Sequence, residues 1–186
     1  MQNVGSNAIT DITKMKRLLF LLGTSDLFKI GVYQLIGGIG GLLIFVWGIY
    51  DKSFEGSIVE LFQLICPLFF LYSIFCGILC FKNERNALGY TLFNQLLQIA
   101  GFSVMGIRYK YVAGFYFDMG INLSQSLHLQ FGMGIPTFNL FLNYPEEVIM
   151  FDFNWVAIIL AYWIFKLQEF KRQEALYDEV DSLLEQ

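Results

Sequence analysis

The sequence predicts a mainly α integral membrane protein with four transmembrane helices, a small antiparallel β meander between helices 3 and 4, and a cytoplasmic amphipathic C-terminal helix. Three observations predict this fold class. The composition is poor in charge, three charge-free runs are long enough to cross a bilayer, and the segment that follows the third run alternates between apolar and polar residues.

The composition of the 186-residue chain excludes several protein classes. Charged residues make up 15% of the chain and hydrophobic residues 56%, with a mean hydropathy of +0.54; soluble domains carry about 25% charged residues. The net charge of −4 gives no general attraction to nucleic acid. A disordered chain, a nucleic-acid-binding protein and an ordinary soluble domain are therefore poor fits, and membrane lipid is the expected environment.

Four segments carry the transmembrane prediction. The runs 30–50, 61–81 and 86–107 contain no charged residue, and about 20 helical residues are enough to cross the hydrocarbon layer. The fourth span, 148–166, is interrupted by Asp152. We nevertheless predict a helix there, because aromatic residues typical of membrane interfaces and a terminal lysine accompany the run.

The basic residues predict an orientation. Nine of the 12 Lys and Arg residues fall on one side of a four-span arrangement, which by the positive-inside rule places both termini in the cytoplasm of a bacterial inner membrane. Arg108 and Lys110 lie on the opposite side and fit this scheme poorly. The expected organisation is a cytoplasmic N-terminal amphipathic helix at 1–24, transmembrane helices 1–3 at 25–107, an extracytoplasmic β element at 108–147, helix 4 at 148–166 and a cytoplasmic helix at 167–186.

The β element is predicted from strict alternation. Apolar residues occupy every odd position from 113 to 123, and the alternation resumes at 127–135 and 137–144, with a short fourth strand at 147–151. One face of this meander is apolar and needs a cover. Three structures could cover it: the outer ends of the helices, the sheets of other subunits, or the membrane itself.

Several residue groups are candidate sites. Gly37 and Gly41 form a helix-packing face. Amide side chains predict a polar intramembrane face, either for bonding between helices or for lining a path. An acidic group predicts an outer rim, and an apolar stripe on the C-terminal helix predicts a partner helix. The polar intramembrane face consists of Asn94, Gln95 and Gln98. The outer acidic rim consists of Glu146, Glu147 and Asp152. The partner-helix stripe consists of Leu176, Val180, Leu183 and Leu184.

Residues that carry catalysis or bind metals form no recognisable pattern. The single histidine, His128, lies on the polar face of a predicted strand, and the three cysteines, Cys66, Cys76 and Cys80, lie in apolar runs. We therefore expect no catalytic residue, metal or other cofactor.

The function predicted from these patterns is a non-enzymatic anchor, scaffold or interaction subunit of a membrane complex, either a homo-oligomer or associated with other membrane subunits. The first alternative is an oligomeric ion channel or membrane-permeabilising pore that Asn94, Gln95 and Gln98 would line. The second is a membrane enzyme acting on lipid, for which the sequence shows no convergent acid, base or metal ligands.

Overall fold

The computed structural model describes residues 26–48, 65–84, 86–124, 127–142, 145 and 147–184. Within these residues the chain forms four helices and a six-stranded antiparallel sheet. The helices are α1 (Asp26–Gly48), α2 (Cys66–Phe81), α3 (Ala87–Ile99) and α4 (Trp155–Leu184). The strands are β1 (Ala100–Val104), β2 (Ile107–Val112), β3 (Tyr116–Asn122), β4 (His128–Gly134), β5 (Thr137–Leu142) and β6 (Met150–Asn154).

Two apolar clusters hold the helices together. The first joins all four helices through small and branched side chains such as Leu27, Ala87 and Ile164. The second joins the helices to the sheet, where Phe70 of α2 packs against Tyr111 of β2. The helices therefore lie against the sheet on the side of β2 and β5.

The sheet has the strand order β4-β3-β6-β1-β2-β5, and every pair of neighbours is antiparallel. β1 continues α3 directly, and β6 runs directly into α4. Met105 and Gly106, both with positive φ, form the two-residue hairpin turn between β1 and β2. Since both central strands are covalently continuous with a helix, the helices and the sheet form one unit.

The sheet is strongly curled. β4 and β5 are its two edges, yet Gly134 at the end of β4 and Thr137 at the start of β5 are separated in sequence by only two residues. Three successive Cα–Cα steps span at most about 11 Å, whereas five strand spacings of a flat sheet would separate the edges by about 24 Å. The two edges must therefore approach each other at this end.

The concave face of the curl is polar and the convex face is apolar. Ser103, Asp118 and Asn154 lie on the concave face and are buried, whereas Phe102 and Phe117 lie on the convex face and are exposed. The helices pack on the convex face at β2 and β5, where Tyr109, Tyr111 and Phe138 lie. This distribution reverses the usual one, in which apolar side chains point inward.

The predicted fold class is wrong. The protein is a mixed α and β protein, not a four-span helical protein, and α1 is the one helix within the described ranges that is both long and apolar enough to cross a membrane. α2 is apolar but has only 16 residues. The prediction of a multi-pass membrane protein is therefore wrong as well.

The third predicted span, 86–107, shows the physical reason for this error. Its helix ends at Ile99, and the remaining residues form β1 and the hairpin turn. Hydropathy measures how apolar a run is but not its period. In β1 the small or polar residues Gly101 and Ser103 point to one face and Phe102 to the other, which is the period of a strand.

The fourth span and the meander also differ from their predictions. Residues 150–154 of the predicted span form β6, and α4 then continues without a break into the predicted C-terminal helix. β5 pairs with β2 rather than with β4, and β6 lies between β3 and β1, so the sheet is not a meander. The predicted N-terminal amphipathic helix lies outside the described residues.

Candidate functional site

A network of buried polar side chains joins the helices to the sheet. Ser73 Oγ of α2 donates a hydrogen bond of 2.7 Å to Gln34 Oε1 of α1, and Asn94 Nδ2 of α3 donates to the same oxygen. The Tyr111 hydroxyl of β2 lies 3.1 Å from Asn94 Oδ1 and 2.8 Å from the Phe69 carbonyl oxygen. Four elements are thus connected through side chains that water does not reach.

The predicted polar face on α3 takes part in this network. Asn94 and Gln98 are buried, and Gln98 donates a 3.2 Å bond to the Asn94 carbonyl oxygen while its own Oε1 accepts a 2.8 Å bond from the Ala113 amide. Gln95 is equally buried, and neither of its amide atoms has a hydrogen-bond partner within the described part of the chain. The structure therefore brings all three predicted residues inside the molecule, where two of them bond to neighbouring elements.

The predicted glycine face packs within the chain. A Cβ atom at Gly37 would lie 2.5 Å from the Ala113 carbonyl oxygen, and one at Gly41 would lie 2.1 Å from a ring carbon of Phe70. Only glycine leaves room for these approaches. Gly37 thus packs against Ala113, the residue after β2, and Gly41 packs against α2.

A second polar group, which we call the charged cluster, occupies the concave face of the sheet: Arg108, Lys110, Tyr116, Asp118 and Asp152. Lys110 Nζ forms an ion pair with Asp118 Oδ2 and lies 4.5 Å from the centre of the Tyr116 ring. The Asp118 side chain is buried, and that of Lys110 is 15% exposed. A buried pair of this kind balances the cost of removing each charge from water only while both partners are present.

Asp152 lies beside this pair, in a space left by two glycines. It is opposite Gly101 of β1 and Gly120 of β3, and a Cβ atom at Gly120 would lie 2.1 Å from its Oδ1. Burial raises the pKa of the Asp152 carboxyl; Lys110 opposes this rise in pKa and Asp118 adds to it. Asp152 was predicted to belong to an outer acidic rim, but it faces the charged cluster instead.

Three buried polar atoms on the concave face have no hydrogen-bond partner within the described residues: Ser103 Oγ, Asp118 Oδ1 and Asn154 Nδ2. Asp118 and Asn154 are directly opposite each other on β3 and β6. Asn154 uses its other side-chain atom, Oδ1, to accept bonds of 3.1 and 3.4 Å from the amides of Val156 and Ala157 at the start of α4. It therefore caps α4.

Those of the other predicted residues that the structure describes join neither group. Glu147 is exposed in the turn before β6, and Glu146 lies outside the described residues. Leu176 and Leu183 are exposed on α4, while the side chains of Val180 and Leu184 lie outside the described part. Of the predicted rim, Glu147 is thus exposed while Asp152 lies on the concave face, and Leu176 and Leu183 of the α4 stripe have no cover among the described residues.

Sequence reasoning missed Lys110, Asp118, Ser73 and Tyr111. The sequence does contain a signal for Lys110. In 107–112 the basic residues Arg108 and Lys110 alternate with Tyr109 and Tyr111, which is a strand pattern. This alternation also explains why these basic residues fitted the orientation poorly, since both belong to the concave face. Nothing in the sequence pairs Lys110 with Asp118, because β2 and β3 are not neighbours in the sheet and their side chains meet only across its concave face.

The buried polar network forms hydrogen bonds, and the charged cluster contains a neutralising ion pair. Within the described ranges, no group of three or more His, Cys, Asp or Glu side chains could hold a metal ion. No family model, curated protein or solved structure matches this chain.

Proposed function

We propose that the protein is a non-enzymatic interaction subunit of a cell membrane, the inner membrane in a bacterium, which contacts lipid through the apolar outer surface of α1 and associates with a second copy through β4. The observation that carries this proposal is the inverted distribution of polarity. Amide side chains are buried between the helices, and large apolar side chains cover the outside.

The outer surface of α1 gives the clearest support. Trp47 is 80% exposed, and Ile36 and Leu43 are also exposed, whereas Gln34 on the same helix is fully buried. α2, α3 and α4 repeat the pattern with Leu68, Phe93, Ile159 and other exposed apolar residues. Soluble monomers rarely expose contiguous apolar patches larger than a few hundred Å², while lipid favours apolar side chains outside and bonded polar groups inside.

The length of α1 agrees with this proposal. Its 23 residues extend about 34 Å, and a hydrocarbon layer is about 30 Å thick. A signal sequence or the core helix of a soluble protein passes the same test of length and composition. The exposed surface separates α1 from a core helix, because only 33% of its most apolar window is buried.

β4 is the surface that we assign to the second copy. It is an edge strand, and its apolar residues Leu129, Phe131 and Met133 are exposed on the convex face. An exposed apolar edge strand is a ready template for pairing with another strand. Antiparallel pairing of β4 with β4 of a second copy would bond both edges, as a two-fold interface allows, and would bring the two sets of apolar side chains side by side.

Tryptophan quenching by brominated lipid tests the membrane contact. Three variants, each keeping one of Trp47, Trp155 and Trp163 and replacing the other two with Phe, are placed in liposomes. We expect strong quenching of Trp47 and weaker quenching of Trp163, which is partly buried and donates a 3.3 Å bond to Asp26. A protein that stays monodisperse without detergent and shows no quenching of Trp47 would contradict the proposal.

The association is tested by mass in mild detergent. We expect a dimer, and we expect Phe131→Lys to weaken it towards a monomer, because the change replaces an apolar cross-strand contact with two like charges that lie close together across the paired strands. Glu147→Lys, in an exposed turn, is the matched control and should leave the mass unchanged. A wild-type monomer that also forms no crosslink to another protein would show that the protein is not an interaction subunit. The channel hypothesis stays a prediction, and ion flux across the same liposomes measures it.

A further inference from the structure

The concave face of the sheet is open at Gly132 of β4. At Gly120 of β3 the Asp152 carboxyl group fills the space that the missing side chain leaves. At Gly132, by contrast, the only described atoms within 4 Å of an added Cβ, apart from its chain neighbours, belong to Asp118, at 3.9 and 4.0 Å. Gly132 is also exposed. A glycine within a strand often marks a place where a ligand approaches the backbone closely.

Two buried polar residues lie in the same row as Gly132. The row crosses three neighbouring strands, from Gly132 on β4 to Asp118 on β3 and Asn154 on β6. Asp118 and Asn154 are 3% and 2% exposed, and Asp118 Oδ1 and Asn154 Nδ2 have no hydrogen-bond partner within the described residues. An unpaired buried polar group costs free energy, so this row holds one acceptor and one donor that a ligand would satisfy.

The other polar side-chain atoms of the two residues are already bonded. Asp118 Oδ2 pairs with Lys110 Nζ, and Asn154 Oδ1 accepts bonds from the amides of Val156 and Ala157. Each residue therefore offers a single atom to a ligand. The terminal torsion of an Asp side chain is broad, so a small rotation of the Asp118 carboxylate presents Oδ1 to a group that lies over Gly132.

These atoms define the chemistry of the ligand. Opposite residues on neighbouring antiparallel strands have Cβ atoms about 4.5–5.5 Å apart. One hydroxyl group, which both donates and accepts, can therefore bond to Asp118 Oδ1 and Asn154 Nδ2 at once. The charged cluster contains two basic and two acidic residues, whose formal charges cancel. A neutral hydroxylated ligand is thus favoured over an ion, because a buried ion would lack a counter-charge.

Tyr116 and Gln130 lie on either side of this row. Tyr116 is opposite Gly134, and Gln130 is opposite Gly120, so the two side chains belong to the rows before and after that of Gly132. The Tyr116 ring supplies an aromatic surface, and the exposed Gln130 supplies an amide. A sugar ring combines hydroxyl groups with a surface of C–H groups, which matches this surround of polar and aromatic side chains.

We propose that the concave face of the sheet binds a neutral sugar over Gly132, with one sugar hydroxyl bonded to Asp118 and Asn154. This site goes beyond the proposed function, which uses α1 and the edge of β4. The unpartnered hydroxyl of Ser103 does not contribute to it. Ser103 is opposite Met150, which lies four residues, or about 13 Å, along β6 from Asn154.

Saturation-transfer difference NMR on the full chain tests the proposal. The protein is kept in a detergent that has no sugar headgroup, and D-glucose is the probe. We expect saturation transfer to the glucose protons with a dissociation constant of about a millimolar, as for other ligands of this size. Sodium gluconate and glucosamine hydrochloride carry one charge each and should give weaker signals at the same concentration.

The sugar has two possible sources, a free molecule or the headgroup of a glycolipid. Liposomes that contain glucosyl diacylglycerol distinguish them. Displacement of D-glucose by these liposomes, at a lower sugar concentration than D-glucose itself requires, would identify the headgroup as the ligand. No displacement would identify the free sugar.

Gly132→Val tests the position of the site. Valine favours a strand, and its Cβ meets Asp118 only at ordinary contact distance, so the variant should fold while its side chain covers the row. We expect glucose binding to weaken at least about tenfold. Gly89→Val is the matched control: Gly89 is exposed on α3 with nothing within 4 Å of an added Cβ, so binding should stay unchanged.

Asn154→Ser tests the hydrogen bond from Nδ2. Serine caps a helix about as well as asparagine, so α4 keeps its cap while the site loses this donor. We expect about tenfold weaker binding, as the loss of one buried hydrogen bond implies. Circular dichroism and thermal melting establish that the variant is folded.

Three results would overturn the proposal. The first is the absence of saturation transfer from folded wild type to D-glucose. The second is equal glucose binding by wild type and Gly132→Val, which would place the sugar elsewhere. The third is stronger binding of gluconate or glucosamine than of glucose, which would show that the concave face selects an ion.

Discussion

The Tyr111 hydroxyl lies 3.1 Å from Asn94 Oδ1, and this contact links the sheet to α3 inside the protein. Both residues are buried, and the same hydroxyl lies 2.8 Å from the Phe69 carbonyl oxygen of α2. Burial raises the pKa of Tyr111, so the hydroxyl stays protonated and available as a donor. One oxygen atom thus connects three elements at the centre of the molecule.

Tyr111→Phe should lower the free energy of unfolding by about 1–3 kcal/mol, because it leaves buried acceptors without their donor. Denaturant unfolding in detergent, followed by circular dichroism, measures this change. Tyr162→Phe is the matched control: Tyr162 is exposed, so its variant should unfold like wild type. Equal stability of the two variants would contradict the role given to the buried network.

Gly37→Ala should destabilise the protein, because the new methyl group would collide with the Ala113 carbonyl oxygen at 2.5 Å. Overpacking of this kind costs about 1–3 kcal/mol. Gly48→Ala, on the same helix but with nothing within 4 Å of the added Cβ, should be neutral or stabilising by up to about 1 kcal/mol. The two melting temperatures should move in different directions or by clearly different amounts, and equal shifts would argue against the close packing of α1.

Lys110→Met should be strongly destabilising, by about 3–5 kcal/mol, because it leaves the buried Asp118 carboxylate without its partner. Adding Asp118→Asn should recover part of the loss, since the isolated charge is then removed. The comparison is Lys29→Met, which breaks the exposed pair with Asp26 and should cost at most about 1 kcal/mol. A Lys110 variant no less stable than the Lys29 variant would show that the concave face tolerates an unpaired charge.

Asp152→Asn tests the pH dependence of the charged cluster. Burial raises the pKa of Asp152 in the folded state above its unfolded value, so the folded state binds more protons between the two pKa values. Stability from this group is therefore complete below the unfolded pKa and is lost as the pH rises through the folded pKa. The variant should be more stable than wild type at neutral pH, and the difference should shrink in acid. Unfolding curves across this pH range measure the difference, and an Asp152→Asn variant with the same pH dependence as wild type would contradict the raised pKa of Asp152.

The α1 helix and several strands could be read from local pattern. The charge-free run 30–50 largely coincides with α1, and the alternating segments contain β3, β4 and β5. These features depend on the period of apolar residues along a short stretch of chain, which the sequence displays directly. The run 86–107 was predicted as one helix because α3 and β1, which follow each other in it, are both apolar.

The candidate sites, too, could be predicted only in part from the sequence. That Asn94 and Gln98 share a helical face follows from their spacing, but their partners Gln34, Ser73 and Tyr111 come from other elements. The Lys110–Asp118 pair depends on the curl that brings β2 and β3 around one concave face. Asp152 was assigned to an outer rim because Glu146 and Glu147 precede it by a few residues, whereas the period of β6 points it to the concave face.

The sequence by itself determined that the chain is unusually apolar, that α1 could cross a membrane and that alternating strands follow α3. The tertiary structure decided which face of each element is inside. That choice depends on strand order, on the curl imposed by the two-residue connection from β4 to β5, and on glycines such as Gly37 and Gly120 that admit close neighbours. Long-range contacts of this kind have no local period, so only the folded chain shows that the polar groups are enclosed and the apolar surface is outside.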